Sequence, residues 1–122
     1  MRVDPTSHPQ YSHILAVSAA VLAAERDTDA SITTLTRLMG TTIEQFADAK
    51  LPAGFAQSAL TKLSEAITAQ VEGRRMLTEA HKEYGRVAKI LGASDDDWGP
   101  SWPCPSSGNL AQPAKRTLKV AA

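Results

Sequence analysis

The side chains in this sequence best suited to chemistry are His81, Glu25, Arg74 and Gln70, followed by His8, His13 and the single cysteine, Cys104. A carboxylate beside an imidazole is a common acid/base arrangement, and Glu25 with His81 would supply one if the fold brought them together. Yet Gln70, Arg74 and His81 also belong to a periodic series, Leu60, Leu63, Ile67, Gln70, Arg74, Leu77, His81, Tyr84, Ala88, Leu91, spaced alternately three and four. That spacing marks the packing stripe of an amphipathic helix. Polar residues in such a stripe fix register and partner at some cost in stability. No nucleophile or phosphate-binding loop accompanies them. The expectation is therefore a structural polar layer of Glu25, Gln70, Arg74 and His81, with no catalytic residue. His8 and His13, five apart, do not share a helical face and lack a third ligand, so neither a metal nor a cofactor is expected. One cysteine excludes an internal disulfide and a cysteine-rich zinc site. Cys104 stands between Pro103 and Pro105, and the charges near it are Asp95 to Asp97 rather than the cations that activate a thiol.

These residues need elements to position them. From Leu60 to Leu91 the heptad pattern predicts one long helix. Beside its seam runs an uncharged row, Ala59, Ala66, Gly73, Ala80, Val87, small enough for a second helix to approach closely; it is the expected oligomer interface. The opposite face carries Glu65, Glu72, Glu79 and Arg86 with Arg75, Lys82 and Lys89, charges placed to pair along the helix in water.

Upstream, Ile14 to Ala24 reads ILAVSAAVLAA without a charge. At 11 residues this run is too short to span a bilayer. It has the length of the apolar core of an export signal, but Arg2 is the one basic residue before it. The reading preferred is a helix packed on more than one side, which requires two neighbours. The three-and-four spacing continues through Ile32, Leu35, Met39 and Phe46 to Ala49. One continuous or kinked helix from about Pro9 to Ala49 is expected in preference to two helices broken at Asp27-Thr28-Asp29-Ala30-Ser31, a cluster of cap-favouring residues. Lys50-Leu51-Pro52-Ala53-Gly54 then ends one helix and starts the next.

The fold class expected is all-α: an antiparallel hairpin of two long helices forming a coiled-coil-like bundle over residues 1–93, with an irregular tail over residues 94–122. A turn centred at Pro52 sets opposite one another seam positions whose numbers sum to about 105 or 106. Phe46 then lies near Leu60, Met39 near Ile67, Leu35 near Gln70, Ile32 near Arg74, Glu25 near His81 and Val21 near Tyr84.

Ala80-His81 followed by Gly85 superficially resembles the phosphoacceptor helix of histidine-containing phosphotransfer domains, which are also helical and of similar length. The resemblance implies a phosphorylatable His81 on an exposed helix face. It covers about a dozen residues, and the chain departs from the family pattern in carrying Glu83 and Tyr84 where an apolar residue and a lysine are wanted. Gly92 also falls one residue late, and a tail follows where the family has further helices. The secreted hairpins of the WXG type are of comparable size, but their Trp-x-Gly turn is absent here.

The tail holds both tryptophans, Trp98 and Trp102, among prolines and glycines, and ends in a mildly basic stretch with Lys115, Arg116 and Lys119. Disordered linkers are poor in aromatics, so the segment is expected to dock on its own bundle, or else to serve through Trp98, Trp102 and Pro103 as a recognition peptide for a protein partner. Over 122 residues Lys plus Arg and Asp plus Glu balance at 13 each, with no basic stripe of the kind nucleic acid requires. No nucleic acid and no membrane partner is expected. The function expected is that of a non-enzymatic oligomeric interaction or structural protein, dimer or tetramer, of the small bacterial or phage assembly or adaptor type. It would be cytoplasmic, as the cysteine usage suggests. The alternative is a signalling or ligand-binding module centred on His81 and Glu25.

Overall fold

A computed structural model of the chain describes residues 4–99 and 102–104. A 3-10 turn, Pro5–Ser7, leads into helix α1, Tyr11–Asp48; helix α2 spans Gly54–Ile90, and one further helical turn, α3, spans Asp95–Trp98. The two long helices pack against each other as an antiparallel hairpin, as the sequence predicts. The basic stretch with Lys115, Arg116 and Lys119, and Pro105, lie outside the described residues.

Helix α1 is continuous for 38 residues. The cap-favouring cluster does not break it, and the Thr28 hydroxyl within that cluster is satisfied inside the helix. Thr28, Thr33, Thr34 and Thr42 each donate to the carbonyl four residues back, at 2.8 to 3.0 Å. The helix begins at Tyr11, two residues after Pro9, where the Tyr11 N–H donates to the His8 carbonyl.

Both long helices end in the same backbone motif. Leu51 N–H donates to Phe46 O and Lys50 N–H to Ala47 O, with Lys50 left-handed at φ 54°. Ala93 N–H donates to Ala88 O and Gly92 N–H to Lys89 O, with Gly92 at φ 73°. This is the Schellman arrangement, which satisfies the last carbonyls of a helix and prefers glycine at the left-handed position. The first instance carries lysine instead.

The chain forms two compact units, Ala20–Glu83 and Met1–Ala19 with Tyr84–Ala122. In the first, the seam residues Ile32, Leu35, Met39, Phe46, Leu60, Leu63, Ile67 and Leu77 are half-buried, and the buried apolar residues are Val21 and Ala56 alone among those described. Two helices have one contact line between them, so each seam side chain keeps an open flank. In the second unit Ser18, Ala88, Ala93, Ser94 and Trp98 are buried.

Two expectations about burial are corrected. The run Ile14 to Ala24 is not covered all round: Ala16, Val17, Ala19 and Ala20 are exposed while Ser18 and Val21 are buried, because α2 covers one side only. Tyr84 and Leu91 are also exposed, and the covered line passes through Gly85 and Ala88. A helix of 3.6 residues per turn drifts about 20° per heptad from a seven-residue repeat, and four heptads separate Leu60 from Ala88.

Candidate functional site

One cross-helix ion pair and one cross-helix histidine–carboxylate hydrogen bond lie in the unit Ala20–Glu83. His81 Nδ1 is 2.5 Å from Glu25 Oε1, with side-chain exposures of 25% and 33%. A carboxylate oxygen accepts, so the proton is on Nδ1 and the ring is held in one orientation. Arg74 Nε donates to Asp29 Oδ1 at 2.6 Å. That hydrogen bond, aided by the nearby negative charge, raises the guanidinium still further above its ordinary range.

The pairing of Glu25 with His81 follows the turn-centred count. Arg74 departs from it. Placed in the buried layer opposite Ile32 by the sequence pattern, it is exposed and reaches along α1 to Asp29. A long cationic side chain at a half-covered seam lowers its free energy by carrying its head to water and a carboxylate while leaving its stem on the helix. Gln70 is half-buried in the seam. Of the four polar residues expected together, the structure joins Glu25 to His81, adds Asp29 beside Arg74, and leaves Gln70 out of any pair. His81 is held by a carboxylate in the pattern of an acid/base dyad, but no hydrogen bond links it to a hydroxyl among the described residues.

The expected interface row divides: Ala59, Ala66 and Val87 are exposed, while Gly73 and Ala80 are half-buried. A Cβ built on Gly73 meets nothing within 4 Å. Packing inside the chain therefore makes no use of the missing side chain.

The tail residues take a different position. Trp98 is 3% exposed, so this residue, expected as a possible partner contact, is docked on its own chain. Its ring lies 5.6 Å from Tyr11, 5.9 Å edge-on from His8 and 5.6 Å edge-on from Trp102, centroid to centroid. His8 fixes the assembly a second way. Gln10 N–H donates to Nδ1 at 3.1 Å, which places the ring proton on Nε2, and Nε2 donates to the Leu91 carbonyl at 2.7 Å. That carbonyl lies just past α2, among those a helix end leaves without partners. Trp102, Pro103 and Cys104 are half-buried.

The sequence reading missed His8 and Tyr11 as the partners of Trp98. A usable signal existed: helices of 38 and 37 residues joined by a short turn bring residue 11 to the same end as residue 90. It also missed α3, although Ser94 followed by Asp95, Asp96 and Asp97 is an N-terminal helix signal, with acidic residues in the first turn.

Among the described residues, no group of three or more His, Cys, Asp or Glu side chains is placed to hold a metal ion, and no helix is long and apolar enough to cross a membrane. No family model matches the chain, and neither a curated protein nor a solved structure shows significant similarity to it.

Proposed function

We propose that this chain is a non-enzymatic helical interaction protein that works as an oligomer, in the manner of a small assembly or adaptor component. The observation that carries the reading is the thin cover over the hairpin. Over Ala20–Glu83 the buried apolar residues are Val21 and Ala56, while Leu38, Ile43, Val71 and Met76 are exposed. Helical bundles gain their stability by burying an apolar face against further helices, and each Leu, Ile, Val or Met taken from exposure to burial contributes about 1.5 to 3 kcal/mol. Further helices covering these four residues supply what two cannot. The single cysteine suits a reducing, cytoplasmic setting, and Trp102 and Pro103, half-buried rather than buried, remain the tail residues through which a protein partner would be met.

Size-exclusion chromatography with light scattering on the full chain tests this. The expected mass is twice or four times 13.0 kDa. A mass of 13.0 kDa at high micromolar concentration would refute self-association.

The 2.5 Å contact between His81 and Glu25 favours a second reading, a histidine-based signalling or ligand-binding module. Incubation with a phosphodonor tests its signalling form: an acid-labile phosphate on wild type that is lost in His81→Gln establishes that form, and no incorporation removes it.

A further inference from the structure

We infer, resting on the histidine-based reading above, that His81 accepts a phosphoryl group at Nε2 and not at Nδ1, from a small phosphoryl donor with a good leaving group, and that Glu25 is the residue that positions and activates the ring.

The chain treats the two ring nitrogens differently. Nδ1 is 2.5 Å from Glu25 Oε1, and because a carboxylate only accepts, Nδ1 carries the proton and has no lone pair to offer. The lone pair of the neutral ring is therefore on Nε2. Among the described residues no group hydrogen-bonds to Nε2, and none of their buried side-chain nitrogens or oxygens is without a partner. Nε2 consequently reaches solvent, although the His81 side chain as a whole is only 25% exposed.

An imidazole held by a carboxylate serves as a base for a hydroxyl, as a metal ligand or as a nucleophile in its own right. The first use lacks its partner here: the threonines one turn away on the two helices, Thr28 and Thr78, donate their hydroxyls to the carbonyls of Ala24 and Arg74. The second lacks further ligands, since no group of three or more His, Cys, Asp or Glu side chains among the described residues is placed to hold a metal ion. The third needs an accessible lone pair and a counter-charge, and both are present.

With phosphoramidate as donor, Nε2 attacks phosphorus, the bond from phosphorus to the protonated amine breaks, and ammonia leaves with that bond's electron pair. The ring becomes positive as the new N–P bond forms, because the Nδ1 proton stays in place. Glu25 Oε1, already against Nδ1, offsets this charge more in the transition state than in the neutral ring, and that difference is what accelerates a reaction. The product keeps its Nδ1–H on Glu25, so the tie between α1 and α2 survives.

The other histidines supply the comparison. His8 accepts from Gln10 N–H at Nδ1 and donates to the Leu91 carbonyl from Nε2, so both of its nitrogens are engaged. His13 is exposed and, among the described residues, is in no ion pair with a carboxylate. If accessibility alone set reactivity, His13 would lead.

The test treats the full chain with phosphoramidate, follows phosphate on each histidine by mass spectrometry, and assigns the nitrogen from its coupling to phosphorus in NMR, with circular dichroism to check helicity. Phosphate on Nε2 of His81, gained about tenfold faster than on His13 and slowed about tenfold in Glu25→Gln, which keeps an acceptor but removes the charge, supports the inference. Phosphate on Nδ1 of His81, or on His13 as fast as on His81, overturns it and leaves the histidine-based reading standing. An unchanged rate in a helical Glu25→Gln overturns the role of Glu25. If Glu25→Gln unfolds, the nitrogen assignment and the comparison with His13 in wild type decide the matter. No phosphate on His81 overturns both the inference and the signalling form of that reading.

Discussion

Replacing Trp98 by alanine removes the side chain on which the end of the chain is organised. An indole of this kind buries about 150 to 250 Å², and Trp98 is 3% exposed. At about 25 cal/mol per Å² the transfer contribution is about 4 to 6 kcal/mol. An unfolded chain that already covers part of its apolar surface reduces this to about 3 to 4 kcal/mol. The three ring contacts, to His8, Tyr11 and Trp102, lie within the same estimate and are not added to it. Amide hydrogen exchange gives the assay, since it reads each unit separately. In Trp98→Ala, protection is expected to fall at residues 84–98 by the factor corresponding to about 3 to 4 kcal/mol, or to the full local stability if that is smaller. Trp102→Ala, at a half-buried position, is expected to cost less. A loss below about 1 kcal/mol in Trp98→Ala would refute the reasoning, because a fully covered indole cannot be removed so cheaply.

The two Schellman ends make a matched pair. Gly92→Ala is expected to destabilise by about 1 kcal/mol and Lys50→Gly to stabilise by about 0.5 kcal/mol in urea unfolding at fixed protein concentration, since a left-handed side chain costs about 1 to 2 kcal/mol and the greater freedom of glycine when unfolded offsets part of it; opposite signs would refute the assignment. His81→Leu is expected to change the melting temperature by only a few degrees, because Glu25, one-third exposed, can be hydrated when its partner is removed; loss of the folded transition would show the pair to be indispensable. Arg75 donates to Glu72 and holds that carboxyl below its usual 4.5. The pair's contribution is therefore complete above that value and is lost as pH falls through the lowered one. Carbon NMR titration is expected to place Glu72 below 4.5, and Arg75→Ala to return it towards that value.

The sequence by itself determined the two long helices, the turn and one of the two cross-helix pairs. Periodicity, cap chemistry and the Pro52 and Gly54 breaks are local, so they can be read without knowing what packs on what. The pairing of Glu25 with His81 was equally legible, because a short turn of known centre fixes which residues stand level. Local signals mislead where two arrangements satisfy the same groups. Thr28 belongs to a cluster that looks like a helix cap, yet its hydroxyl bonds back into a continuous helix. Tertiary structure alone decided the rest. Arg74 left the seam for Asp29 because the seam is open enough to let it reach water, and openness depends on how many helices cover it. Trp98 became a buried anchor because the hairpin brings His8 and Tyr11 to the end of α2, about 80 residues away along the chain. How far each apolar residue is buried follows from the distances between elements, and a heptad pattern reports only the direction in which a side chain points.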